Sequence, residues 1–270
     1  MDIHLQMELQ LEVGMVVEVV MHLALLNQEM VEEELGKVIP LERAPVRLTV
    51  VHVGPERHSL VLNIHHIVTD GFSEALIEAD LNRFYNALVA GESLPPVDEA
   101  KVRYVDYAYW QQELLADEAF MAPHLQYWRD TLGGDVPVLE LQPDHPRPAV
   151  MTSAGSSLEF SVGREAGRKL GALCSQLGVS MMRGGLTAWA MLLCKHSGQP
   201  DVVVGMPYAN RDKAGTSDVV GYFVNTLAVS VKYDTLVQDF RGAVTATSAV
   251  IGEAISHAYL PFVKVVEVVD

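Results

Sequence analysis

The stretch Asn63–Ser73, NIHHIVTDGFS, closes one apolar, β-rich run and opens a helical one. Period-2 alternation puts Leu60, Leu62, Ile64 and His66 on one face of a strand, and Val61, Asn63 and His65 on the other. The two histidines therefore have different surroundings, and only one is expected to do chemistry. An imidazole titrates near neutrality and is the usual general base for an amine or hydroxyl nucleophile. A strand end orients its ring, and the following turn exposes it. Asp70 comes four residues after His66, placed to orient an imidazole directly or to fix the loop through an arginine. Gly71 permits a backbone shape, and an approach of backbone to substrate, that a side chain would block. Composition and spacing leave a second reading open, in which a core or surface histidine precedes an ordinary Asp-Gly turn.

On the N-terminal side, PVRLTVVHV and SLVLNIHH read as adjacent strands or a hairpin joined through GPERH. After the turn, Ile77, Leu81, Phe84 and Leu88 recur at helical spacing, with Asp70 or Ser73 as cap and Gly91 as stop. YVDYAYWQQELLA and HLQYWRDTLGG predict two more helices, whose Tyr107, Trp110, Tyr127 and Trp128 read as core. A proline-rich crossover follows, VPVLELQPDHPRPAV, which regular helix excludes. Beyond it the pattern predicts a strand at SSLEFSV, helices near 164–177 and 181–196, strands at DVVVGMPY and YFVNTLAVSVKY, and a helix over about 236–257. The class is mixed α and β. Residues 1 to about 40 are the least legible, residues 1–27 are poorly assignable, and MVVEVVMHLALLNQEMVEEELGKV reads as one or two helices. Residues 28–149 and 150–270 are expected to form two lobes, with the boundary near Ala149.

Of the 270 residues, 49% are hydrophobic, enough for a large domain or two lobes with real cores. The net charge of −16 argues against nucleic acid or an anionic membrane surface, since both need clustered Lys and Arg. Cys174 and Cys194 lie in apolar helical runs, away from any metal spacing, and read as buried free thiols of a reducing compartment. Glu18 and His22 interrupt the N-terminal apolar stretch, which excludes a signal peptide, and no run spans a bilayer. Neither histidine has companions for a zinc site, and no phosphate-cradling glycine loop occurs, so metal and nucleotide are not expected.

HHIVTDG resembles the HHxxxDG signature of condensation domains of nonribosomal peptide synthetases, which belong to the chloramphenicol acetyltransferase-like acyltransferases. Further segments resemble that family in order. These are YVDYAYWQQ, YWRDTLGGDVPVLELQPDHPRP, VVVGMPYANRD, VGYFVNTLAVSV and a blurred HAYLPFVKVVE. The resemblance covers roughly residues 28–268. The family's opening and closing segments lack counterparts, so the chain is expected to be truncated at both ends.

The resemblance implies a partial two-lobed fold with a channel between the lobes. Upstream and downstream peptidyl carrier proteins would deliver thioesters on phosphopantetheine arms, with an adenylation domain adjacent and no cofactor bound directly. The downstream amine would attack the upstream thioester, in the cytoplasm. His66 matches the catalytic histidine, His65 a more structural one, and Asp70 an aspartate paired with an arginine, for which Arg211 is the candidate. Gly71 would lie near the reacting carbonyl, and Asn225 and Tyr222 along the substrate channel. An epimerisation domain shares the signature, but its usual Ser-Trp continuation is replaced here by DGFSEAL. Two further readings are an ester-forming relative and an inactive carrier-docking remnant.

Overall fold

The computed structural model describes residues 6–8, 16–22, 33, 36–55, 57–96, 101–134, 136, 138–146, 148–150, 156, 158, 160–232 and 239–269. These pack as two compact units. The first comprises Met1–Tyr109, Thr152–Ser157 and Arg211–Phe223, and the second Trp110–Met151, Leu158–Asn210 and Val224–Asp270.

The first unit is built on an antiparallel sheet of β1 (Gln6–Glu8), β2 (Val16–His22), β3 (Val46–Gly54) and β4 (Arg57–His65), ordered β1-β2-β4-β3. Val46 pairs with Ile64, Leu48 with Leu62 and Val50 with Leu60. The central β4 is hydrogen-bonded along both edges. Ser59, Val61, Leu62, Asn63 and Ile64 are all buried, so its two faces are covered rather than one. On edge strand β3, Val46, Leu48 and Val50 remain about half exposed.

Strand β2 corrects the helical expectation for this N-terminal stretch. Val17 pairs with Ile64, Val19 with Leu62 and Met21 with Leu60. Branched valines lose rotamer freedom in a helix, and the free edge of β4 offers a ladder of partners. A long-range contact therefore overrides an ambiguous local pattern.

β4 stops at His65, and His66–Val68 form one turn of 3₁₀ helix. The alternation expected to carry His66 ends one residue before it. Helix α1 (Gly71–Val89) follows, capped by Asp70, whose carboxylate accepts from the Ser73 N–H at 2.9 Å. Its other end closes in a Schellman motif: Gly91 has φ +70°, its N–H donates to the Leu88 carbonyl, and the Glu92 N–H donates to that of Ala87. Ile77, Leu81 and Phe84 are half-buried, whereas Leu88 is exposed.

The second unit holds α3 (Glu118–Leu132), α4 (Arg164–Leu177), α5 (Met181–Ser197), α6 (Phe240–Ser256) and α7 (Phe262–Val269). They surround the antiparallel pair β5 (Asp201–Tyr208) and β6 (Asn225–Lys232). Helix α2 (Tyr104–Ala116) begins in the first unit and ends in the second. The second core contains Trp128, Leu193, Val202, Leu227, Val229 and Ile251, with Trp128 only 1% exposed. Cys174 and Cys194 are free and buried.

The strand expected at SSLEFSV is absent among the described residues there. Leu158, Phe160 and Val162 are 87%, 79% and 66% exposed; an alternating pattern without a pairing edge makes no ladder. Trp110, expected in the core, is 37% exposed. No single helix among the described residues is long and apolar enough to cross a membrane.

Candidate functional site

The site grows from the junction of β4, the 3₁₀ turn and α1. His65 ends the strand, and its Nδ1 accepts the Ile67 N–H at 3.1 Å, capping the turn. Its ring is thereby engaged in structure. The His66 Nδ1 lies 2.6 Å from the Thr69 carbonyl oxygen. A carbonyl only accepts, so Nδ1 carries the proton and Nε2 of the neutral ring keeps its lone pair. The Tyr222 ring packs against it in a T-shaped arrangement, 5.2 Å between centroids at 78°. His66 is half-buried and Tyr222 is 42% exposed.

Behind the turn lies a dense polar cluster. Asp70 and Arg211 pair at 2.8 Å, with both side chains 4% exposed. The Asp70 carboxylate also accepts from the Ser73 N–H at 2.9 Å, the Ser73 hydroxyl at 2.8 Å and the Phe223 N–H at 3.0 Å. Burial alone would push this carboxyl up, but the bonds from Ser73, Phe223 and Arg211 outweigh it and hold it below the ordinary aspartate range. The Arg211 guanidinium also donates to the carbonyls of Thr216 at 2.9 Å and Val219 at 2.6 Å. Its planar face lies 4.3 Å from the Phe223 ring and 4.7 Å from that of Phe72. One ion pair thus ties the head of α1 to the segment Arg211–Phe223, 141 residues further along the chain.

Gly71 is the first residue of α1 and does not have positive φ. The expectation of a special backbone shape there is therefore corrected. A Cβ at Gly71 would meet nothing within 4 Å, which leaves open space beside the turn. Asn225 heads β6 in the second unit. Its amide donates to the Ala258 and Leu260 carbonyls, both at 3.0 Å, and accepts the Phe262 N–H at 3.0 Å. That side chain is engaged as a tie within its own unit.

Residue patterns assigned no site role to four contributors. Ser73 exchanges bonds with Asp70 and with the backbone of Gly221. Tyr104 donates its hydroxyl to the Tyr222 carbonyl at 2.8 Å and packs edge-on against Phe223. Burial, then the charge of Asp70, pushes its phenol up, so it stays a donor. A Cβ at Gly221 would sit 2.3 Å from the Tyr104 ring, and a lone glycine before two aromatics was the available signal. The fourth is Glu74, 2% exposed and one turn into α1.

Comparison with known proteins identifies the family and the fold. The condensation-domain model matches residues 5–270, so the matched span begins well before the residue 28 suggested by motifs. A linear gramicidin synthase of Brevibacillus parabrevis is 35% identical over 241 residues, covering 89% of this chain. The chain spans 3% of that synthase's length. The X-domain from teicoplanin biosynthesis, solved in complex with OxyB, superposes with a TM-score of 0.78 at 23% identity, over 96% of this chain and 62% of that one. The first condensation domain of the calcium-dependent antibiotic synthetase, with a substrate analogue, gives 0.70 at 22% identity, over 90% and 53%. These structures establish the fold, which is of the chloramphenicol acetyltransferase-like class. With the family match running from the first strand to the last helix, the chain belongs to the condensation-domain family of nonribosomal peptide synthetases.

Proposed function

We propose that the chain forms amide bonds between carrier-bound thioesters, with His66 at the reacting centre. The observation that carries this reading is the His66 Nδ1 bond to the Thr69 carbonyl. It fixes the tautomer that leaves Nε2 basic, at the head of a helix locked by a buried ion pair. The amine of a downstream aminoacyl thioester attacks the upstream acyl carbonyl. The carbon–nitrogen bond forms, Nε2 takes the amine proton, the carbon–sulfur bond breaks, and the proton passes to the departing thiolate. His65 and Asp70 hold the turn, Arg211 neutralises Asp70, and Tyr222 packs the imidazole. Gly71 leaves room for substrate. Both substrates arrive on phosphopantetheine arms of upstream and downstream carrier proteins, beside an adenylation domain in a cytoplasmic synthetase. The chain itself needs no bound cofactor.

A second reading is a docking platform without catalysis. It is favoured by the likeness to an X-domain whose structure was solved in complex with a protein partner, OxyB. One assay separates the two. Carriers loaded with simple aminoacyl groups are mixed with the chain, and dipeptidyl thioester is sought by mass spectrometry. Product from the native chain, reduced roughly 10²–10⁴-fold in His66→Ala, is the expected result. Equal product from both would sink the role of His66, and none from either folded protein would favour the platform.

A further inference from the structure

The Tyr222 ring rests against the His66 imidazole, 5.2 Å between centroids, yet it is 42% exposed. Packing does not enclose a side chain this open, so its backbone decides where it lies. The backbone on both sides of Tyr222 is clamped. Ahead of it, the Gly221 carbonyl accepts from the Arg211 guanidinium at 3.3 Å, and the Gly221 N–H donates to the Ser73 hydroxyl at 3.1 Å. Behind it, one rigid peptide plane carries the Tyr222 carbonyl and the Phe223 N–H. That N–H donates to Asp70 at 3.0 Å, and the carbonyl accepts the Tyr104 hydroxyl at 2.8 Å. The plane is therefore held at both of its polar ends, by Asp70 from α1 and by Tyr104 from α2.

Tyr104 is itself well seated. It is the first residue of α2 and half-buried. Its ring makes a T-shaped contact with Phe223 at 5.1 Å and lies 6.0 Å from that of Tyr107. Those two neighbours are 2% and 5% exposed. A Cβ at Gly221 would meet the Tyr104 ring at 2.3 Å, so this ring also fills the space into which the Gly221 backbone could move.

We propose that Tyr104 is a positioning residue for the reaction: its hydroxyl fixes the Tyr222–Phe223 peptide plane and so seats the Tyr222 ring against the His66 imidazole. This role rests on the reading of His66 as the base. Without the hydroxyl the plane is pinned at Asp70 alone, and the Tyr222 ring leaves the imidazole part of the time. His66 keeps its Nδ1 bond to the Thr69 carbonyl, so its tautomer is unchanged. The ring can then swing about that bond, and Nε2 spends less time aimed at the amine.

The test compares Tyr104→Phe, which keeps the ring and removes the hydroxyl, with Tyr222→Ala and with the double variant. The His66 ring resonances are recorded by NMR at one fixed pH, and kcat and KM are measured for dipeptidyl thioester formation. In Y104F the resonances should move from their native positions toward those of Y222A, as the Tyr222 ring current is partly lost. kcat should fall roughly 2–10-fold, the worth of one hydrogen bond, with KM unchanged. In the Y222A background Y104F should add little, because both act on one contact. His66 resonances identical in the native and Y104F chains would overturn the proposal, as would an equal loss of kcat in both backgrounds. Displaced resonances in a folded chain that makes no product would uphold the seating of Tyr222 and reject the condensation reading.

Discussion

Asp70 shows what one buried charge does here. Asp70→Asn leaves the Arg211 guanidinium without its countercharge in a site where both side chains are 4% exposed. The expected loss is about 3–5 kcal/mol in urea unfolding, and a loss below about 0.5 kcal/mol would show that the pair does not hold the fold. The pH dependence has a definite sign. The folded-state carboxyl lies below the ordinary aspartate value of 3.8, so its contribution is complete above that value and is lost as pH falls through the depressed one. The gap between native and D70N stability should therefore narrow in acid. Glu74 runs the other way. Raised above the ordinary glutamate value of 4.5, it favours the native state most below that value, and the advantage is lost as pH rises through the raised one.

Helix and strand ends carry the next level of organisation. The 3₁₀ turn separates the two histidines: His65 caps it, and His66 rides on it with one nitrogen tied. In the second unit, Asn225 does comparable work for the segment leading into α7. Asn225→Ala would strip bonds from the Ala258 and Leu260 carbonyls and the Phe262 N–H. A loss of roughly 1–3 kcal/mol is expected, read as a lowered urea midpoint with unchanged slope. An unaltered midpoint would return Asn225 to the substrate role its motif suggested.

At the scale of the whole chain, the larger cluster of buried apolar side chains among the described residues lies in the second unit. Leu227 is fully buried on β6, among Trp128, Val202 and Ile251. Leu227→Ala should cost roughly 2–5 kcal/mol by removing buried methyls and leaving a cavity. Thermal unfolding by calorimetry measures it, and a cost under about 1 kcal/mol would mean the site collapses freely. The architecture also explains an apparent conflict in the first unit. β4 reads as a half-buried alternating strand, yet five of its residues are buried across both faces. Its central position between β2 and β3 leaves it no free edge, and burial across both faces holds at Ser59 and over Val61–Ile64 while His58 stays exposed.

Much of this was legible in the residues. The β3–β4 hairpin, the helix opened by Asp70 and ended by Gly91, and the two buried thiols followed from turn chemistry, capping and periodicity, which act over a few residues. The HHIVTDG signature and its ordered companions marked the family. Tertiary structure decided the rest, because it depends on neighbours remote in the chain. Val16–His22 became a strand because β4 had an edge to fill. The alternating segment around Phe160 makes no strand among its described residues, whose apolar side chains stay exposed. Ser73, Gly221 and Tyr104 joined the site because the chain returns at Arg211–Phe223 to meet α1. Local pattern specifies which side chains a segment offers; only packing determines that the buried charge of Asp70 meets Arg211, 141 residues further along the chain.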